Sequence, residues 1–256
     1  MKIVTSLTNE TVKAVRALHL KKAREESGLF LAEGLKIVAE AVDQGHAPAI
    51  LLYSSKASDQ PMLARVAAAA REVIEVTPAV LAKISRRDNP QTVLGVFEQS
   101  YAPLAEMSRD GLLLGLEEIR DPGNLGTILR TADAAGCAGV ILIGETCDPF
   151  SVEAVRATMG SIFATPIARA SAAEFLAWRA GWPGSVVGTL LTASTDFRAF
   201  AYPPASLILL GNEQAGLTPE LAAACDVTVK IPMRGGADSL NLAVAAAVMI
   251  YAATGD

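Results

Sequence analysis

Apolar and polar positions divide the chain into two successive series in which helical spacing alternates with short apolar runs. In the first series, Val12, Val15 and Leu18 share one face of a predicted helix over Thr8 to Leu18, because residues three and four apart stack on an α-helix. Leu29 to Ala32 reads as a short strand, and Gly34 to Gln44 as an amphipathic helix stopped by Gly45. Ala49 to Tyr53, Glu72 to Thr77 and Thr92 to Glu98 read as strands, with a helix over Met62 to Arg71. Such alternation predicts an α/β unit.

The pattern breaks from Tyr101 to Asp110, where Pro103 and several polar positions interrupt it, so two domains are expected, residues 1–105 and 106–256. The second series opens with a strand over Leu112 to Leu116 and a helix from about Asn124 to Ala135. Val140 to Ile143 reads as a strand and Val152 to Met159 as a helix. Ser185 to Leu191, Leu207 to Leu210 and Val227 to Ile231 are apolar strands, and a last helix is expected from near Ser239. Strands this apolar predict a parallel sheet covered on both faces.

Composition narrows the class. Hydrophobic residues make up 51% of the 256, enough for a sizeable core and too many for a disordered chain. No amino-terminal stretch has the charged-then-apolar plan of a signal peptide. The most apolar stretch, Leu240 to Ala253, is too short to span a bilayer and reads as a buried or subunit-interface helix. No membrane partner is expected. The three cysteines, Cys137, Cys147 and Cys225, form no CxxC pair, and the two histidines, His19 and His46, lie far from the motifs described below. A zinc site or a histidine-based triad has little material to work with, and a reducing cytoplasm is the expected compartment.

A net charge of −5 argues at first against a nucleic-acid partner. The halves differ, however. Residues 1–105 hold 13 Lys and Arg against 11 Asp and Glu, a surplus of +2, whereas residues 106–256 hold 9 against 16, a deficit of −7. Lys13, Arg16, Lys21, Lys22 and Arg24 fall in one short stretch, and Arg86 with Arg87 forms a second cluster.

Three segments of the second half join an apolar run to a glycine-rich turn carrying polar residues. In the first, Asp121-Pro122-Gly123-Asn124 makes a turn between strand and helix. Asn124 is placed to cap that helix, and Arg130 follows six residues later with Thr127 and Thr131 nearby. Read alone, Arg130 is an ordinary exposed arginine. In the second, Gly211-Asn212-Glu213 ends a strand, where glycine lets backbone approach a ligand at the edge where open α/β sheets bind ligands. Thr218 or a neighbour caps the next helix, with Pro219 in its first turn. In the third, Pro232 ends a ladder because it has no N–H to donate. Arg234-Gly235-Gly236 then turns, and Ser239 is placed to cap the helix containing Asn241.

In order and content these segments, NLGTILRTADAAG from Asn124, LLGNEQAGL from Leu209 and IPMRGGADSLNLAVA from Ile231, resemble the three motifs of the SpoU/TrmH family of RNA 2'-O-methyltransferases. The resemblance covers residues 107–253. It implies an α/β fold of the SPOUT class, with a parallel-sheet domain containing a trefoil knot, a homodimer, S-adenosylmethionine as methyl donor and no metal. Gly211, Ile231 and Leu240 match the family's donor-binding positions, with Leu210 and Met233 beside them. Arg130, Glu213, Ser239 and Asn241 match its polar active-site positions, Asn124 supports them, and Arg130 is the residue most directly tied to the 2'-hydroxyl. Ala243 departs from the Ser that many members carry. AVRATMGSIFATP, from Ala154, resembles a further family segment and makes Arg156 a candidate RNA contact. FLAEGLKIVAEAV, from Phe30, resembles the substrate-binding domain attached to many of these enzymes, which is similar to a small ribosomal-protein fold that grips RNA. The basic stretch before it makes Lys21, Lys22 and Arg24 candidate phosphate contacts.

The expected reaction moves a methyl group from the donor to a ribose 2'-hydroxyl of structured RNA, ribosomal rather than transfer. Because the donor is already a sulfonium, alignment of oxygen, carbon and sulfur does much of the catalysis. A guanidinium stays protonated at neutral pH, so Arg130 is expected to hold phosphate and stabilise the emerging alkoxide. It can act on donor held by the other subunit. The alternative is an RNA-binding protein of the same fold without catalysis, against which the set Asn124, Arg130, Glu213, Ser239 and Asn241 argues. A nicotinamide oxidoreductase needs a Gly-x-Gly-x-x-Gly turn that the chain lacks.

Overall fold

The structure, a computed structural model, describes residues 2–255. It divides into two compact units, Met1–Gln99 with Asp148–Phe163, and Ser100–Cys147 with Ala164–Asp256.

The first unit runs β1 (Lys2–Val4), α1 (Glu10–Ala17), α2 (Lys21–Ser27), β2 (Leu29–Glu33), α3 (Leu35–Asp43), β3 (Ile50–Tyr53), α4 (Pro61–Ala69), β4 (Glu72–Val76), α5 (Pro78–Ser85) and β5 (Val93–Glu98). Its sheet has the order β1-β4-β3-β5-β2, with β5 antiparallel to both neighbours. The predicted stripe on α1 is the buried one, Val12 and Val15 inside the helix and Leu18 at its cap. Sequence reading missed β1, α2 and α5, short elements with little room for periodicity.

The second unit opens with β6 (Leu112–Glu117), α6 (Pro122–Ala134) and β7 (Gly139–Ile143). The chain then gives α7 (Val152–Thr158) to the first unit before returning as β8 (Ile167–Ala170), α8 (Ala172–Arg179), β9 (Ser185–Thr189), β10 (Thr195–Asp196), β11 (Ser206–Leu210), α9 (Pro219–Ala223), β12 (Val227–Lys230) and α10 (Leu242–Thr254). All seven strands pair in parallel, in the order β10-β12-β9-β11-β6-β7-β8. β6, β7 and β11 are buried along their whole length, as expected for strands covered on both faces. β8, β10 and α8 were not anticipated.

Two boundaries differ from the sequence reading. The stretch Tyr101 to Asp110 is not a free linker: Ala102 N–H donates to the Ile167 carbonyl at 2.8 Å, and Met107 is buried with Phe175, Trp178 and Trp182. It belongs to the second unit. Residues 148–163, read as part of the second domain, belong to the first. Phe150 and Phe163 stack on Phe30 with ring centroids 4.9 and 5.7 Å apart, and Phe163 meets Phe97 edge-on at 4.7 Å. Buried aromatic contact of this kind outweighs sequence proximity.

Candidate active site

The site lies in the second unit, at the carboxyl ends of β6, β9, β11 and β12, where open parallel sheets present their loops to ligands. One cavity of about 1280 Å³ opens there.

The loop after β11 is built on a close approach. A Cβ on Gly211 would collide with backbone of Gly216 and Leu217, because Asn212 and Gly216 exchange backbone hydrogen bonds of 3.0 and 2.9 Å. Gly216 has φ +70, open to glycine at no steric cost. The Asn212 side chain holds the turn from both ends: its Oδ1 accepts from Gln214 N–H at 2.9 Å and Ala215 N–H at 3.1 Å, and its Nδ2 donates to the Glu118 carbonyl at 2.9 Å. Beneath it, the buried Glu117 carboxylate accepts from Thr218 N–H at 2.8 Å and Thr218 Oγ1–H at 2.7 Å. Thr218 in turn caps α9, with Pro219 at its start, as the sequence suggested.

The two expected helix caps come out differently. Asp121, not Asn124, caps α6, its Oδ1 accepting from Asn124 N–H at 2.6 Å. The helix starts at Pro122, two residues early, so Asn124 lies inside its first turn and its side chain takes no part in the cap. Asn241, not Ser239, caps α10, accepting from Ala243 and Val244 N–H at 2.9 and 3.3 Å. Ser239 therefore stays in the loop, exposed. Proline at N1 is pre-set for the helix in α6, and in α10 Asn and Ser are comparable caps, so the start of the helix at Leu242 gives the role to Asn241.

These placements join three predicted residues. Asn241 Nδ2 donates to Asn124 Oδ1 at 2.9 Å, and Asn124 Nδ2 donates to Glu213 Oε1 at 3.4 Å. The Glu213 carboxylate also accepts from the backbone N–H of Arg120 at 3.3 Å and of Asp121 at 3.2 Å. The second motif is thus tied to the first, and the first to the third.

Of the predicted residues, Asn124, Glu213, Ser239 and Asn241 line the cavity, and so do Leu210, Gly211, Ile231, Met233 and Leu240. Arg130 does not; it is exposed in the third turn of α6. Residues that sequence reading missed complete the wall: Thr189 to Thr192 after β9, Leu217, Leu242 and Ala245. The loop after β9 carries no glycine turn, and only its position at a strand's carboxyl end would have marked it. Thr189 Oγ1 is buried there without a hydrogen-bond partner among the described residues. Also missed was Arg120, beside Glu118, whose φ of +49 is unusual for a residue other than glycine and is the kind of local strain that gathers at functional sites. Burial pushes the thiols of Cys137 and Cys225 up to about 12 and about 11, so neither is a nucleophile at neutral pH.

The candidate RNA contacts separate. Lys21 and Lys22 are exposed on α2, each 3.7 Å from a glutamate one turn on, Glu25 and Glu26. Arg24 is corrected to a structural role: it is buried, 2.7 Å from Asp148, and donates to the Leu18 carbonyl at 2.7 Å. Arg156 is likewise engaged, paired with buried Glu33 and donating to the Ser85 carbonyl at 3.0 Å, where α5 ends. Charges taken from water inside a unit need such partners.

Known proteins resemble the chain throughout. The SpoU rRNA Methylase family matches residues 111–251, and an MRM3-like substrate binding domain matches residues 9–95. A 23S rRNA (guanosine(2553)-2'-O)-methyltransferase of Bacillus subtilis is 30% identical over 98% of both chains. A 23S rRNA (uridine(2479)-2'-O)-methyltransferase of Streptomyces viridochromogenes is 33% identical over 91% of this chain and 85% of that one. The crystal structure of an AdoMet-bound rRNA methyltransferase from Sinorhizobium meliloti superposes with a TM-score of 0.92 at 49% identity, covering 98% and 97% of the two chains.

Proposed function

Since the chain belongs to the SpoU rRNA methylase family, we propose that it transfers a methyl group from S-adenosylmethionine to a ribose 2'-hydroxyl of ribosomal RNA. The observation carrying this reading is the single cavity that Gly211, Ile231 and Leu240 share with the linked Asn124, Glu213 and Asn241. The wall suits the donor. Gly211 keeps backbone open to it, Leu190, Ile231, Leu240 and Leu242 offer an apolar slot, and the Thr189 hydroxyl awaits a polar partner.

When bound, S-adenosylmethionine supplies an electrophilic methyl on a positively charged sulfur. The C–S bond breaks as the C–O bond forms, and the hydroxyl proton leaves to solvent. The chain's own contribution is to orient the ribose through Ser239 and Asn241 and to lock the loops through Glu213. Holding oxygen and methyl in line supplies about 7–11 kcal/mol in favourable cases. Arg130 stabilises the developing negative charge on oxygen.

Because Arg130 lies off the cavity of its own chain, it acts in a homodimer, on the cavity of a second copy. α10 supports that assembly: its Ala-rich surface leaves Val244 49% and Tyr251 47% exposed, large side chains that a second copy would cover. We further infer a trefoil knot in the second unit. The strand order supports it, because β12 inserts between β9 and β10, two strands that precede it in the chain. The compartment is the cytoplasm, where ribosomal RNA of a bacterial cell is met; among the described residues no helix is long and apolar enough to cross a membrane.

The test uses purified protein, labelled donor and separate ribosomal and transfer RNA. Label in ribose of ribosomal RNA is expected, and no incorporation into either RNA overturns the reading. Arg130→Ala should lower kcat by about 100- to 1000-fold with donor affinity unchanged; full activity removes Arg130 from the mechanism.

A further inference from the structure

The ribose presented to this cavity brings a phosphate with it. In RNA the 2'-hydroxyl and the 3'-phosphate hang on adjacent carbons of one ring, so a wall that receives the first must tolerate the second. The cavity is poorly charged for that, because Glu118, Asp121 and Glu213 all line it. Among the described residues lining it, one cation stands against them, Arg120.

Arg120 is rooted in the site by its backbone and exposed at its side chain. Its backbone N–H donates to the Glu213 carboxylate, the group joined through Asn124 to Asn241. Its side chain is 59% exposed, and among the described residues its guanidinium is held by Glu118, at 3.1 Å, whose side chain is itself 44% exposed. A surface pair of this kind is weak, so the guanidinium exchanges one anion for another readily. Glu118 is kept in its left-handed conformation by its own N–H bond to Ile143 and by Asn212 Nδ2 on its carbonyl. Its backbone is thereby fixed, and its carboxylate is the resting partner of Arg120 in the cavity wall.

We propose that Arg120 is a substrate-binding residue that leaves Glu118 to grip the phosphate flanking the target ribose. The proposal rests on the methyl-transfer reading above. A guanidinium suits the task, since its planar fork binds phosphate with two hydrogen bonds. It also divides the work between two arginines: Arg120 anchors the nucleotide from within the chain, leaving Arg130 to the reacting oxygen.

The experiment compares wild type, Arg120→Ala and Arg120→Lys in methyl transfer to ribosomal RNA at several salt concentrations, with S-adenosylmethionine affinity measured by calorimetry. Arg120→Ala should raise KM for RNA about 10- to 100-fold, as for a lost charge-assisted hydrogen bond. The slope of log KM against log salt should fall by about 0.7 to 0.9, and donor affinity should stay within about twofold. Arg120→Lys should recover part of KM, because an ammonium still binds phosphate as a point charge. An unchanged KM and slope in Arg120→Ala overturns the proposal. So does weakened donor binding, which would assign the guanidinium to the donor's carboxylate. Failure of wild type to methylate RNA at all would instead overturn the methyl-transfer reading.

Discussion

In the first unit, Arg24 and Arg156 are consumed by ion pairs with Asp148 and Glu33, partners 124 and 123 residues away. In the second, Asn124, Glu213 and Asn241 come together from segments 89 and 117 residues apart and remain at the mouth of an open cavity. Both sets were singled out by sequence for binding. The difference lies in where each residue sits. Arg24 and Arg156 are on short helices packed into a core, where an unpaired charge is costly. The polar residues of the second unit lie on loops or first turns at the carboxyl ends of strands, where backbone donors and solvent satisfy them until a ligand arrives.

The largest effect expected from that contrast is on stability. Arg24→Ala leaves Asp148 buried without its cation and should cost about 3–5 kcal/mol in denaturant unfolding. A loss under 1 kcal/mol would show that the pair is not a structural tie. Gly211→Ala acts on the other unit. The added methyl group forces Gly211 away from Gly216 and should weaken S-adenosylmethionine binding at least about 100-fold, about 2.8 kcal/mol, in calorimetry. Affinity like that of wild type would remove the close approach from the donor site. The smallest effect belongs to Lys21→Ala with Lys22→Ala, whose exposed pairs make stability change within about 0.5 kcal/mol. If they touch RNA phosphate, the salt slope of RNA binding falls by about one for each lysine; an unchanged slope leaves the first unit without these contacts.

Much of the site was legible because its signals are local. Gly211 and Gly216 announce a turn that other residues cannot make, and the apolar runs ending in Leu210 and Ile231 place those turns at strand ends. Asn124, Glu213, Ser239 and Asn241, singled out through the family resemblance, line one cavity. Arg120 and the Thr189 to Thr192 loop escaped notice, since neither has a composition that marks it. The exchange of capping roles, with Asp121 capping for Asn124 and Asn241 capping for Ser239, escaped too, because each helix end held two competent caps. Which one wins depends on where packing fixes the first turn.

The sequence by itself determined the two α/β series and the parallel character of the second, and its three motifs carried the resemblance to the family. The series and the sheet type follow from side-chain size and periodicity, which act over a few residues, whereas the family comes from the likeness of whole motifs to known ones. Only the tertiary structure decided that residues 148–163 join the first unit, that Arg24 and Arg156 are paired internally, that Arg130 lies outside the lining of its own chain's cavity, and that Arg120 lies within it. Each of these depends on which distant group comes within a few ångströms. Coulomb attraction and desolvation act on that distance, and the spacing of residues along the chain does not encode it.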